Sequence, residues 1–126
     1  MYVRYLADDR LVQLTKDGER GKVINGHADW VHEEEFGFTQ AYKWSPDSRA
    51  IAYLKYDESE VKNYPMQIWT DSLYPQTMDL KYPKAGELNA KVKLREVNVV
   101  SGEDVLLYDA SSVSYTHLTL PTTPYV

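Results

Sequence analysis

The chain has 126 residues, enough for one small domain or a part of a larger one. Its 43% hydrophobic and 26% charged residues mark a globular chain, and a net charge of -5 without a Lys/Arg cluster argues against nucleic-acid and anionic-membrane binding. Eleven tyrosines and three tryptophans favour a β-rich fold, no apolar run is long enough for a membrane helix, and without cysteine there are no disulfides.

Short β-type runs alternate with turn signals along the chain. Met1 leads straight into "YVRYL" with no apolar signal segment; the turn "ADD", the run "RLVQLT" and the polar loop "KDGERG" follow. At "DWVHEEEF", residues 29 to 36, Asp29 is placed to cap one or two helical turns, which would carry Glu33, Glu34 and Glu35. "AYKWS" and "RAIAYLKYD" flank "PDS", where Pro46 presets its φ and Asp47 and Ser48 tolerate the remaining turn geometry. "PMQIWT" reads as a further strand. "VKLREVNV", "SGE" and "DVLLY" then read as strand, turn and strand, with an imperfect period of two.

"YVRYLADDRLVQLT" and "KLREVNVVSGEDVLLY" repeat the same strand, polar turn, strand pattern, with a different hairpin between them. Residues 41 to 108 would complete one four-stranded unit, and the first hairpin would close the preceding one. Four-stranded sheets repeated in sequence are the blades of a β-propeller, which needs about four to eight of them. The expectation is therefore an all-β partial propeller of about two four-stranded antiparallel blades, with a short helical turn carrying the acidic motif. Every charged residue lies before Ala110. The last stretch, "ASSVSYTHLTLPTTPYV", is rich in Ser and Thr, and "VSYTHLTLPTT" reads like adapter DNA translated as protein. Residues 110–126 are accordingly expected to be a non-native tail, and residues 1–109 a fragment of a longer protein.

"DWVHEEEF", then "YKWSPDSRAIAYLKYDESEV", then "YPKAGELNAKVKLREVNV" resemble, in order and spacing, the propeller domain of the dipeptidyl peptidase IV family of serine exopeptidases. The "WSPD" hairpin is shared by many propellers. The acidic stretch followed about 48 residues later by "YPKAG" is much more specific. The resemblance implies an eight-bladed propeller over an α/β-hydrolase domain that this chain lacks, and a homodimer of the full-length protein. It also implies that Glu34 and Glu35 bind the free α-ammonium of a peptide substrate, from which Xaa-Pro or Xaa-Ala dipeptides are released. The family usually has tyrosine where this chain has His32. Bacterial members are typically periplasmic or exported, which sets the expected location.

The chemistry of such a site follows from charge. Two carboxylates held close disfavour each other's ionised form, and a bound ammonium relieves that repulsion through charge-assisted hydrogen bonds. A blocked or internal peptide amide brings no cation and leaves the carboxylates desolvated and unpaired. The helix N-terminus is expected to add about 0.3 to 1 kcal/mol in the carboxylates' favour. Two extended residues span about 7 Å, so an amine anchor that far from a nucleophile would present the second peptide bond. Glu33 should point elsewhere, since neighbours on a helix stand about 100° apart.

No G-x-S-x-G occurs, so a nucleophile is not encoded here and the isolated chain is expected to be inactive. His27 and His32, five apart and without cysteine nearby, read as surface or turn residues rather than metal ligands, and no cofactor is implied. Trp30, Trp44 and Trp69 read as blade core rather than as a stacking platform. Two alternatives stay open: the acidic run as a solvated helix end, and the chain as part of a non-catalytic, peptide-binding or scaffolding propeller.

Overall fold

The computed structural model describes residues 1–110. The expected non-native tail falls on residues outside the described ones, apart from Ala110, which is buried and donates its backbone N–H to Val92 O (3.0 Å).

β1 (Tyr2–Tyr5) and β2 (Arg10–Gln13) form a hairpin in which Tyr2 faces Gln13 and Tyr5 faces Arg10. Asp9 in its turn has φ 60°, a left-handed conformation that Asp tolerates better than most residues. β3 (Val23–Asn25) and β4 (Tyr42–Trp44) both pair antiparallel with β5 (Ala50–Asp57). Asn25 faces Lys55 and Tyr42 faces Tyr53, so the two short strands are collinear halves of one edge strand. Leu54 joins them: it accepts from Gly26 N–H (2.9 Å) and donates to Ala41 O (2.9 Å). Residues 27–40 leave the sheet between those halves and carry α1 (Trp30–Phe36).

β8 (Lys91–Asn98) pairs along the whole of β5, and β9 (Asp104–Asp109) pairs with β8. The composite β3/β4 strand, β5, β8 and β9 thus make one four-stranded antiparallel blade, the expected partial-propeller unit. β6 (Asn63–Ile68) and β7 (Gln76–Lys81) form a separate hairpin that departs between β5 and β8. "PMQIWT" is thus a strand of this inserted hairpin rather than of the blade.

The turn between β4 and β5 uses the chemistry its residues dictate. Asp47 Oδ1 accepts from Ser45 Oγ (2.6 Å) and from Arg49 N–H (3.1 Å), and Ser48 takes the left-handed position at φ 58°. The period of two then sorts side chains onto two faces. Ile51, Tyr53, Val97 and Val99 pack with Val3 and Leu14 of the first hairpin, which is contact between one blade and the next. Tyr56 and Val92 face the opposite way, into a cluster with Ala41 and Ala110 flanked by Ile24, Phe38 and Leu54. Burying such apolar side chains stabilises by about 1.5–3 kcal/mol each. The Tyr53 hydroxyl donates to Asp104 Oδ2 (2.7 Å), and Arg95 Nε donates to Asp104 Oδ1 (2.9 Å), tying β5, β8 and β9 together. Burial pushes the Tyr53 phenol well above its ordinary value, with the Asp104 carboxylate acting in the same direction.

All six residues of β9 are exposed, as are Tyr42 and Trp44 on β4. A strand edge left open among the described residues, with bare apolar side chains beside it, is a template for association. The isolated chain is therefore expected to self-associate, with sedimentation giving oligomers that grow with concentration. A monodisperse monomer with a sharp thermal transition would contradict this.

Candidate functional site

α1 is a short helix with a complete set of caps. Asp29 is the N-cap, extended at φ -73° and ψ 173°; its Oδ1 accepts from His32 N–H (3.1 Å) and its carbonyl from Glu33 N–H (3.0 Å). Gly37 ends the helix in the left-handed conformation (φ 65°) and donates its N–H to Glu33 O (3.0 Å). The expected helical turn at the acidic motif is thus present.

One face of α1 is buried and the other is charged. His32 is only 4% exposed, and its imidazole lies against Tyr56 (4.9 Å between centroids), Phe36 (5.5 Å) and Phe38 (6.3 Å). Its Nδ1 is 2.6 Å from Asp29 Oδ1; the acceptor is a carboxylate oxygen, so Nδ1 carries the proton. The sequence-based reading of His32 as a surface or turn residue is therefore wrong. In an acidic run a histidine looks solvated, but its three-residue spacing from the capping Asp29 turns it inward. His27 is exposed in the connection before the helix, with Nδ1 2.8 Å from Ala28 O.

Glu33, Glu34 and Glu35 are all exposed. Glu33 belongs to the first turn, whereas Glu34 and Glu35 lie at the C-terminal end, where backbone carbonyls point. The expected help from the helix N-terminus consequently has the wrong sign for these two. The dipole adds to their mutual repulsion, and the same field draws a cation.

The turn after β7 closes the other side. Trp30 packs on Tyr82 (4.6 Å between centroids, planes tilted by 44°), and Tyr82 packs on Tyr64 of β6 (5.5 Å). Lys84 Nζ lies 5.1 Å from the centre of the Tyr64 ring, a cation–π distance. Between α1 and this turn lies a cleft of about 330 Å³ lined by Trp30, Val31, Glu35, Lys84 and Glu87 among others. Glu35 stands one turn beyond Val31, and Glu34 one turn beyond Trp30. The acidic motif and "YPKAG", far apart in sequence, are therefore two walls of one cleft. Trp30 is half-buried in this contact. Trp44 and Trp69, at 47% and 67% exposed, are not blade core as expected. Among the described residues they sit on an edge strand and just beyond β6.

Beneath the N-terminus of α1 lies a second group of polar residues that sequence reasoning missed. Asp29, Tyr56 and Glu58 are buried there; burial raises the Glu58 carboxyl, the Asp29 charge adds to the shift, and Lys81 and the Gly21 N–H oppose it. The Tyr56 phenol is raised too, by burial first and Asp29 second, and among the described residues its hydroxyl finds no hydrogen-bond partner.

The sequence matches the family described as "Dipeptidyl peptidase IV (DPP IV) N-terminal region" over residues 1–124. The chain belongs to that family. The fungal "Probable dipeptidyl-aminopeptidase B" of Chaetomium globosum is 38% identical over 88% of this chain. "Inactive dipeptidyl peptidase 10" of Rattus norvegicus is 43% identical over 70% of it. The crystal structure of Porphyromonas gingivalis dipeptidyl peptidase 4 superposes with a TM-score of 0.78 at 41% identity, covering 85% of this chain and 15% of that one. The chain spans 13% of the length of the Chaetomium relative and 11% of the rat one. Among the described residues no helix is long and apolar enough to cross a membrane. The resemblance carried by the acidic motif and "YPKAG" thus identified the family correctly, and the cleft gives a reason for their pairing: the two motifs touch.

Glu58 yields a pH prediction for this dipeptidyl peptidase IV N-terminal region. Its carboxyl is raised in the folded state above the ordinary 4.5. The folded protein thus holds a proton that the unfolded chain has released, and stability falls as pH rises through that window. Glu58→Gln removes the window and keeps an oxygen for the Gly21 N–H. The variant is expected to have a higher thermal midpoint than the parent near pH 7, with the gain shrinking toward pH 4.5. A gain independent of pH, or a loss at pH 7, would show that the Glu58 charge is not what burial penalises.

Proposed function

We propose that this region anchors the free α-ammonium of a peptide substrate in a serine dipeptidyl peptidase, with Glu34 and Glu35 as the anchor. The observation that carries the reading is their placement. Glu34 and Glu35 are exposed neighbours on the C-terminal turn of a helix, and Glu35 lines a cleft that residues 82–86 wall on the other side. Like charge and the helix dipole both penalise the empty site, and a primary ammonium relieves both at once. A neutral or blocked N-terminus relieves neither.

In this reading the catalytic Ser, His and Asp belong to an α/β-hydrolase domain of the same polypeptide, and the nucleophile lies about two extended residues from the anchor. Cleavage then releases N-terminal dipeptides, with proline or alanine as the second residue. An exported or periplasmic location goes with that role. A second copy of the protein is the other partner, and the exposed Trp69, Leu73 and Tyr74 at the tip of the β6–β7 hairpin offer it an apolar surface. A non-catalytic reading is favoured by one observation, the 43% identity to a relative called inactive. The same amine-binding cleft would then retain peptides without cutting them.

Glu34→Ala or Glu35→Ala in the full-length protein is expected to lower kcat/KM on a dipeptide chromogenic substrate by about 30-fold or more. That corresponds to the roughly 2–5 kcal/mol lost when one side of a charged contact is truncated. Near-normal hydrolysis by both variants would sink the assignment. Wild-type protein that binds a free-amine peptide yet never hydrolyses it would support the non-catalytic reading.

A further inference from the structure

A helix as short as α1 is not stable on its own, because nucleation is costly and few internal hydrogen bonds form. Its exposed face adds three neighbouring negative charges. It is also held away from the sheet, on the excursion through residues 27–40. Something must fix its rotation if Glu34 and Glu35 are to point anywhere definite.

We propose that His32 is a positioning residue for the amine anchor, acting through its buried hydrogen bond to the N-cap Asp29. This inference rests on the amine-anchor reading given above. One oxygen, Asp29 Oδ1, accepts both the His32 backbone N–H (3.1 Å) and the His32 ring Nδ1–H (2.6 Å). The cap and the imidazole therefore hold each other, and neither moves without the other. Phe36, Phe38 and Tyr56 enclose the ring, so turning the helix about its axis would drag a buried imidazole out of an aromatic cage. At about 100° per residue, a fixed His32 sets Glu34 roughly 200° around the helix, facing away from the sheet. Glu35 then lies roughly 300° around, on the flank that lines the cleft. His32 contacts no substrate in this arrangement. It acts by fixing where two carboxylates stand.

Packing and hydrogen bonding make opposite predictions for two substitutions. His32→Phe keeps an aromatic ring in the cage and loses the donor. His32→Asn loses the ring and keeps an N–H at the Nδ1 position. The experiment measures kcat and KM in the full-length peptidase with a dipeptide chromogenic substrate. If His32 positions the anchor, Phe raises KM about tenfold or more with kcat within about twofold, and Asn restores most of that loss. Asp29→Ser separates capping from the lock, since its hydroxyl caps the helix but is too short to hold the imidazole, and it should raise KM as Phe does. A Phe variant with wild-type KM, or one outperformed by neither Asn nor the parent, overturns the proposal. Glu34→Ala and Glu35→Ala are run alongside. If they leave KM unchanged, the anchor reading fails. If they raise it while His32→Phe and Asp29→Ser do not, only the positioning role fails. Should His32→Phe not fold, Asp29→Ser alone decides between the two outcomes.

Discussion

The bonds from Leu54 to Gly26 and to Ala41 are what the rest of the site depends on. They splice two short strands into one blade edge and close the neck of the excursion that carries α1. Each half alone pairs three residues with β5, too few to hold an edge. Spliced, they read as a single strand registered along β5, which is itself fixed over its whole length by β8. Ala28 N–H to Thr39 O (2.9 Å) adds a further rung where the excursion leaves the sheet. Gly26 is positioned by the same constraint. Its φ of 74° suits glycine, and a Cβ there would meet Met1 Sδ at 2.6 Å.

With the neck closed, the remaining freedom of α1 is rotation and tilt, and polar interactions in a nearly dry pocket remove it. Asp29 is buried with Tyr56 and Glu58 close by, so its charge costs free energy unless its oxygens are satisfied. Two donors meet one of those oxygens from the helix side. The exposed end of the helix is the reverse case: carboxylates stand where the dipole and their neighbours both disfavour negative charge, with no ion pair to them among the described residues. Buried satisfaction at one end and exposed like charge at the other is what the proposed amine anchor would need, because only the second end would gain from a ligand.

The parts of this arrangement legible in the sequence are those specified locally. The β4–β5 turn was readable because Pro46, Asp47 and Ser48 each have a distinct backbone role, and the β8–β9 turn because Gly102 takes φ 74°. Asp29 announced a helix start, and the order of the acidic motif and "YPKAG" announced the family. The composite edge strand was not legible, since no local window contains both Val23–Asn25 and Tyr42–Trp44. The β6–β7 hairpin was only half visible: "PMQIWT" has strand character, whereas "QTMDLK" has only Met78 and Leu80 as apolar residues and takes its strand form in pairing with β6. His32 was misread because its signal is relational. Only its three-residue offset from a capping aspartate, with Phe36 one turn on, marks it as inward.

Family membership and activity are separable in this chain for a physical reason. The proposed anchoring role suits a relative called an aminopeptidase and one called inactive alike, because binding an ammonium would ask nothing of a nucleophile. In the proposed reading, what Glu34 and Glu35 supply is a fixed origin from which residues are counted. Moving the helix by one residue's worth of rotation would swing a carboxylate by about 100° and shift that origin, whatever chemistry lies beyond. In that reading, precision of placement matters more than strength of attraction. That explains why a short, exposed, electrostatically unfavourable helix is tied down by a spliced strand beneath it and a buried hydrogen bond inside it.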